Sequence, residues 1–226
     1  MPGQTELFAV IGGENGKAGL WALDHANDSY LEKYHISSHT ACISSIAFHP
    51  LNEYAALGSL DGSWSYHNLF QGVELAKFKE ESPVTQLEFH PDGLMMMVGL
   101  ADGRVKVYDI RTQQAIFSID DYKGTCGEVK QISFSNKGLY FATTWKDSKV
   151  ARVFNLRKLG KEVIEVGPFG EDKVTTATFD YYGNYLAIGH GKSICVVEAK
   201  KWNEPLVTIP NAHDGAVNVV RFAPSG

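Results

Sequence analysis

Apolar and polar residues alternate along most of this chain, and the alternation has a period of two. Ile43-Ser44-Ser45-Ile46-Ala47-Phe48 is one such stretch; Val84–Phe89, Val129–Phe134, Val174–Phe179 and Val217–Phe222 are others. Successive side chains of a strand point to opposite faces, so each stretch predicts a short strand with two distinct faces. Turn-forming residues follow, as in His90-Pro91-Asp92-Gly93 and Ser135-Asn136-Lys137-Gly138. Next come more continuous apolar runs: Tyr54–Leu57, Leu94–Val98, Leu139–Ala142 and Tyr185–Ile188. Such runs suit strands buried on both faces. Then Asn15-Gly16, Asp61-Gly62, Asp102-Gly103, Asp147-Ser148 and His190-Gly191 mark tight turns, where residues that tolerate positive φ are favoured. A third alternating strand ends in Tyr108-Asp109 or Phe154-Asn155, and a fourth, more polar strand completes the unit.

The phenylalanine closing each first strand recurs at Phe48, Phe89, Phe134, Phe179 and Phe222, with spacings of 41, 45, 45 and 43 residues. Four short strands per 40–45 residues is the signature of WD-type β-propeller blades. The predicted fold is therefore all-β, with essentially no helix. Four whole blades span 37–80, 81–121, 122–168 and 169–211. Residues 1–36 supply strands two to four of a partial blade, and 212–226 supply the first strand of a further one. A seven-bladed ring at this period needs about 300 residues, so the chain is expected to be a piece of such a ring. The alternative is a five-bladed ring in which the last strand completes the first sheet.

Hydrophobic residues make up 44% of the 226, enough for a sizeable core. No apolar run reaches the roughly 18 residues of a membrane span. Met1-Pro2-Gly3-Gln4-Thr5-Glu6 lacks the features of a secretory signal, which predicts an intracellular protein and sets aside the sequon at Asn27-Asp28-Ser29. The formal charge of −5 argues against broad phosphate neutralisation, so no direct nucleic-acid partner is expected. Arg152, Arg157, Lys158 and Lys161 form a local basic cluster, read as a solvated rim. Cys42, Cys126 and Cys195 are odd in number and widely spaced, which fits neither a disulfide framework nor a zinc site.

His39 and Asp61 are the first candidates for chemistry. Taken alone, they would suggest a general base beside Ser44 or Ser59. The blade pattern gives them another role: a histidine before the first strand meets an aspartate after the second and ties the blade together. Other units keep only the aspartate (Asp102, Asp147) or only the histidine (His213). His49 and His90 recur with the period and so lie about a blade apart, too far to share a metal ion. Met95-Met96-Met97 reads as core filling. Gly12-Gly13-Glu14-Asn15-Gly16 precedes a strand, not a helix, and is no phosphate loop. No catalytic, cofactor or metal site is expected.

Trp64 stands early in its third strand, Asn155-Leu156-Arg157-Lys158-Leu159 follows another, and Gly183-Asn184-Tyr185-Leu186-Ala187 and Lys201-Trp202 come at matching intervals. Over nearly the whole chain this series resembles the C-terminal propeller of the pre-mRNA-processing factor 19 family, the U-box ubiquitin ligases of the spliceosome's nineteen complex. Glu14-Asn15-Gly16 and Val197-Glu198 depart from the usual blade pattern. The resemblance implies a nuclear protein whose propeller docks ubiquitination substrates and splicing-complex subunits. It also implies an N-terminal U-box, which would carry the transferase activity, and a coiled coil that makes the full-length protein oligomeric. Neither is read in these residues. A generic WD-repeat scaffold or adaptor of another complex is the alternative. Propeller partners contact the loops before first strands and after second strands. The expected partner-binding residues are therefore Cys42, Leu60, Ala101, Glu128, Lys146 and Lys173.

Overall fold

A computed structural model describes residues 8–24 and 29–223. The N-terminal hexapeptide, most of the Asn27-Asp28-Ser29 sequon and Pro224–Gly226 lie outside the described residues. Strands follow one another as antiparallel meanders in five sheets. The first holds β1 (Phe8–Gly12), β2 (Ala18–Asp24) and β3 (Ser29–Ile36). The second holds β4 (Ile43–Phe48), β5 (Tyr54–Ser59), β6 (Ser63–Asn68) and β7 (Val73–Lys79). The third holds β8 (Val84–Phe89), β9 (Met95–Leu100), β10 (Val105–Asp109) and β11 (Gln114–Ile119). The fourth holds β12 (Val129–Phe134), β13 (Tyr140–Trp145), β14 (Ala151–Asn155) and β15 (Val163–Val166). The fifth holds β16 (Val174–Phe179), β17 (Tyr185–His190), β18 (Ser193–Glu198) and β19 (Pro205–Ile209). The single helical element among the described residues is a 3-10 turn, Leu156–Lys158. The chain divides into two compact units, residues 1–87 and 88–226.

Burial follows the sequence pattern strand by strand. In β5, β9, β13 and β17 every residue after the first is buried, as expected of continuous apolar runs. The fourth strands are mostly exposed, and β19 is exposed throughout. In the first unit, Leu20, Ala55 and Leu69 pack together, and the Tyr34 hydroxyl donates to Asn68 O (3.1 Å) and Leu69 O (3.2 Å). The early Trp64 is fully buried and stacks on Phe78 at 3.9 Å. In the second unit, Met97, Val107, Ile132, Phe141, Trp145 and Phe154 share one cluster. Another gathers Val174, Leu186, Ile188, Val197 and Trp202.

Adjacent first strands are stitched by side chains at one repeat position. Ser45 Oγ accepts from Leu87 N (2.9 Å), Gln131 Oε1 from Ala177 N (3.3 Å) and Thr176 Oγ1 from Val220 N (3.4 Å). The residue before each is a bulge: register shifts between Ile43 and Ser45, Val129 and Gln131, and Val174 and Thr176. An extra residue there aims its side chain out of the ladder. The bulged Ser44 hydroxyl reaches both Gly58 O (3.1 Å) and Val84 O (2.6 Å), and Thr175 reaches Gly189 O and Val217 O in the same way.

Two sequence expectations need correction. Residues 217–223 carry a first-strand pattern but form no ladder. A first strand pairs with the second strand of its own unit, and these residues contain none; the segment is held by Thr175, Thr176 and Val217 N→Gly191 O (2.7 Å). Arg152 is not a solvated rim residue. Its guanidinium lies 4.3 Å from the Tyr122 ring centroid and 5.4 Å from that of Trp145, and its Nε pairs with Glu165 at 2.9 Å.

Gly138 has φ +65°, and a Cβ there would stand 1.9 Å from His90 Nε2, the ring that bonds Gly138 O at 3.1 Å. Gly124, at φ +71°, has open space around it. Gly124→Ala is expected to cost about 1 kcal/mol from backbone conformation alone. Gly138→Ala adds the clash and is expected to cost at least about 2 kcal/mol. Urea unfolding of the two variants checks this; equal losses would mean that the His90 contact carries nothing.

Candidate functional site

A buried polar network runs through the second sheet. The loop before β4 carries His39, the turn after β5 carries Asp61, and β6 carries Ser63, Ser65 and His67 at alternate positions, on one face. His39 Nδ1 lies 3.0 Å from Ser63 Oγ and 3.4 Å from Asp61 Oδ2; His39 Nε2 lies 2.8 Å from Ser65 Oγ, which is 2.7 Å from His67 Nε2. Asp61 Oδ1 accepts from Ser63 N (2.8 Å) and Ser63 Oγ (2.5 Å), and Oδ2 accepts from Thr40 N (2.9 Å).

One proton arrangement satisfies this chain with neutral imidazoles. His67 Nε2–H donates to Ser65, whose hydroxyl donates to His39 Nε2. His39 Nδ1–H donates to Ser63, whose hydroxyl donates to the Asp61 carboxylate. Burial pushes His67 down to about 4, against the opposing pull of Glu74. Burial also lowers His39, although Asp61 opposes it. For Asp61, burial alone would raise the pKa; the Ser63 hydroxyl and the Thr40 N–H outweigh it and bring the carboxyl to about 2. Each serine hydroxyl in this chain is engaged with an imidazole or the Asp61 carboxylate, and the network ties loop to sheet. Ser44 and Ser59 do not touch His39; Ser59 Oγ donates to Ala41 O at 2.8 Å. Sequence reasoning missed Ser63, Ser65 and His67, although their i, i+2, i+4 spacing along one strand face was a usable signal.

Units without the histidine hold their turn aspartate by cations instead. Asp102 Oδ2 receives Arg104 Nε (2.8 Å) and Nη2 (2.7 Å), bonds that lower its pKa against burial. Asp147 pairs with Lys173 Nζ at 2.6 Å, which lowers its pKa. His213 is exposed, and its N–H donates to Lys192 O at 3.3 Å.

The six loop residues singled out for docking fall into local groups. In the first unit, Leu60 N donates to Cys42 O at 3.0 Å; Leu60 is 45% exposed and Cys42 half-buried. In the second unit, Lys146 N donates to Glu128 O (3.0 Å), and the Lys146 ammonium lies 3.6 Å from the Glu128 carboxylate. Lys173 joins them through Asp147, whereas Ala101 sits half-buried in the turn before Asp102 without a contact to either. Lys146 and Lys173 are thus partly neutralised within the chain. Among the described residues, no cluster of three or more His, Cys, Asp or Glu side chains could hold a metal, and no helix is long and apolar enough to cross a membrane.

Repeated four-stranded meanders, with loop-to-turn ties at fixed repeat positions, define a WD-repeat β-propeller protein. Residues 31–67 match the family model of the WD domain, G-beta repeat. The chain belongs to the β-propeller family described as Nucleolar protein 10-like, N-terminal domain, whose model matches residues 63–181, just over half its length. Over nearly the whole chain it is similar to Pre-mRNA-processing factor 19, as its sequence pattern indicated. It is 30% identical to that protein of Oryza sativa subsp. japonica over 97% of the chain and 41% of the relative. It is 32% identical to that of Caenorhabditis elegans over 96% of the chain and 42% of the relative. Pre-mRNA-processing factor 19 homolog 2 of Arabidopsis thaliana is 34% identical over 71% of the chain and 29% of the relative. The chain therefore spans well under half the length of these curated relatives.

Proposed function

We propose that this chain is the substrate- and partner-docking propeller of a nuclear, pre-mRNA-splicing-associated ubiquitin ligase, with the transfer chemistry outside these residues. The observation that carries the reading is the similarity to Pre-mRNA-processing factor 19 over 97% of the chain. The geometry is compatible with it: stiff sheets present short loops whose residues can vary without disturbing the core. The proposed partner contacts are Cys42 and Leu60 in the first unit and Ala101, Glu128, Lys146 and Lys173 in the second, with the two lysines selecting acidic segments of splicing-complex subunits or substrates. In this reading the longer protein carries a U-box and assembles through a coiled coil. The match to the Nucleolar protein 10-like domain supports a second reading, a propeller scaffold of another complex. A U-box in the upstream coding sequence favours the first; its absence from the full transcript favours the second.

Charge reversal at Lys146 and Lys173 is expected to reduce capture of acidic partners from nuclear extract at least about five-fold, the effect of losing a modest interface contact. Both side chains are exposed, so the melting temperature should move little. Unchanged capture by a folded double variant would remove this face as the docking site. In a ubiquitin-transfer assay the chain alone is expected to form no conjugates, and reproducible conjugation would overturn the division of labour.

A further inference from the structure

The second unit carries a groove of about 590 Å³ at the turns of the fourth and fifth sheets, lined by Lys137, Tyr140, Tyr182, Tyr185, Glu198 and Lys200 among others. It lies at the turns joining first to second strands, away from the Asp147–Lys173 end. Tyr181 and Tyr182 are 57% and 58% exposed. Their turn is braced from within: Asp180 Oδ1 accepts from Asn184 N (2.6 Å) and Tyr185 N (2.7 Å), and Oδ2 accepts from Tyr182 N (3.2 Å). The two rings meet edge to face at 5.2 Å. At the groove wall Tyr140 is fixed edge to face on the buried Trp202 at 5.8 Å. Open aromatic rings on a rigid turn are an informative kind of exposure, because nothing in the fold of this unit uses them.

The charge beside these rings is positive. Among the described residues Lys137 and Lys200 make no ion pair, while Glu198, the groove's carboxylate, is taken by Lys201 at 2.8 Å. Among the described residues Arg157 and Lys161 also make no ion pair, and their turn is anchored to the groove wall by Leu156 N→Leu139 O (2.9 Å). The protein's net charge of −5 weighs against neutralising a long duplex, but it does not bear on a local strip of cations.

We propose that this groove binds single-stranded RNA, with bases stacked on Tyr182 and Tyr185 and phosphates met by Lys137 and Lys200. Aromatic faces beside unpaired cations are the recurring means of holding single strands. The exposed Asn184 side chain and the tyrosine hydroxyls offer partners for a 2′-hydroxyl. An acidic peptide is the less suitable occupant: it would meet the lysines but leave the exposed tyrosine rings unstacked, whereas bases cover them. The inference is independent of the docking face at Lys146 and Lys173.

The test is fluorescence anisotropy of the 226-residue chain with a labelled twelve-residue oligouridylate. Tyr182→Ala is expected to weaken binding about five- to ten-fold, the lower part of the range for one stacked base. Lys137→Glu with Lys200→Glu is expected to lower the slope of log affinity against log salt by about 1.4, the share of two phosphate contacts on a single strand. Lys173→Glu should leave RNA binding unchanged, which keeps failure here distinct from failure of the docking face. All variants are checked by thermal melt, and the exposed positions chosen leave the core intact. Failure of the oligouridylate to bind, binding indifferent to both groove variants, equal or tighter binding of the matching oligothymidylate DNA, or displacement of the RNA by a twelve-residue polyglutamate would each overturn the proposal.

Discussion

Trp145→Ala is expected to destabilise the second unit by about 3–5 kcal/mol, the range for removing a large aromatic from a packed core. The indole is fully buried and its Nε1–H donates to Gly103 O at 2.8 Å, joining the fourth sheet to the turn between β9 and β10. Tyr122 packs against it at 4.7 Å, and Arg152 lies over both rings. Truncation would open a cavity, leave a buried carbonyl without its donor and loosen a guanidinium from its aromatic seat. Trp145→Phe keeps most of the volume but loses the N–H and part of the ring, so it should cost clearly less than the alanine variant. Urea unfolding followed by circular dichroism measures both. A loss below about 1 kcal/mol for the alanine variant would show that the site collapses around the missing ring.

Acid should destabilise the first unit well before its carboxylates titrate. His67 is held neutral by burial, with its pKa near 4 against an unperturbed 6.5. Between those values the unfolded chain binds more protons than the folded one, so stability falls as pH drops through this window. At pH 5 the loss from His67 alone is about 2 kcal/mol relative to pH 7.5. His39 is lowered as well and adds in the same direction. Asp61, at about 2, works in a different window: its contribution is complete above the unfolded value of 3.8 and is lost only as pH falls through about 2. The side chains aligned with His67 in neighbouring third strands are Tyr108 and Phe154. His67→Phe should therefore fold and flatten the dependence between pH 6.5 and 4. An equally steep profile in that variant would place the titration elsewhere.

Much of the fold was legible without coordinates, and particular residues show why. Ile46 and Phe48 alternate with polar neighbours, Met96 and Met97 lie in an uninterrupted run, and Asp102-Gly103 closes a turn; each signal arises within a few residues of chain. The pairing of His39 with Asp61 was also readable, because the repeat fixes which loop meets which turn. Its extension through Ser63, Ser65 and His67 was legible in principle, since residues two apart on a strand share a face. Arg152 was misjudged for the opposite reason: its surroundings, Tyr122 and Trp145, come from other segments, and a charged side chain in an alternating strand looks like any solvated one.

By itself, then, the sequence determined the strand class, the period, the turns and the residues of the core strands. These depend on side-chain alternation and on local backbone preference, both of which are written within a single repeat. Tertiary structure alone decided the bulges at Ser44, Lys130 and Thr175; at Ser44 and Thr175 the hydroxyl reaches a carbonyl of the next repeat's first-strand segment. It alone decided that Asp147 would be served by Lys173, 26 residues further along the chain. It alone brought Lys137, Tyr140, Tyr182 and Lys200 around one groove. The bulge contacts join segments 40 and 42 residues apart, and such distances come into being only when one sheet packs against the next.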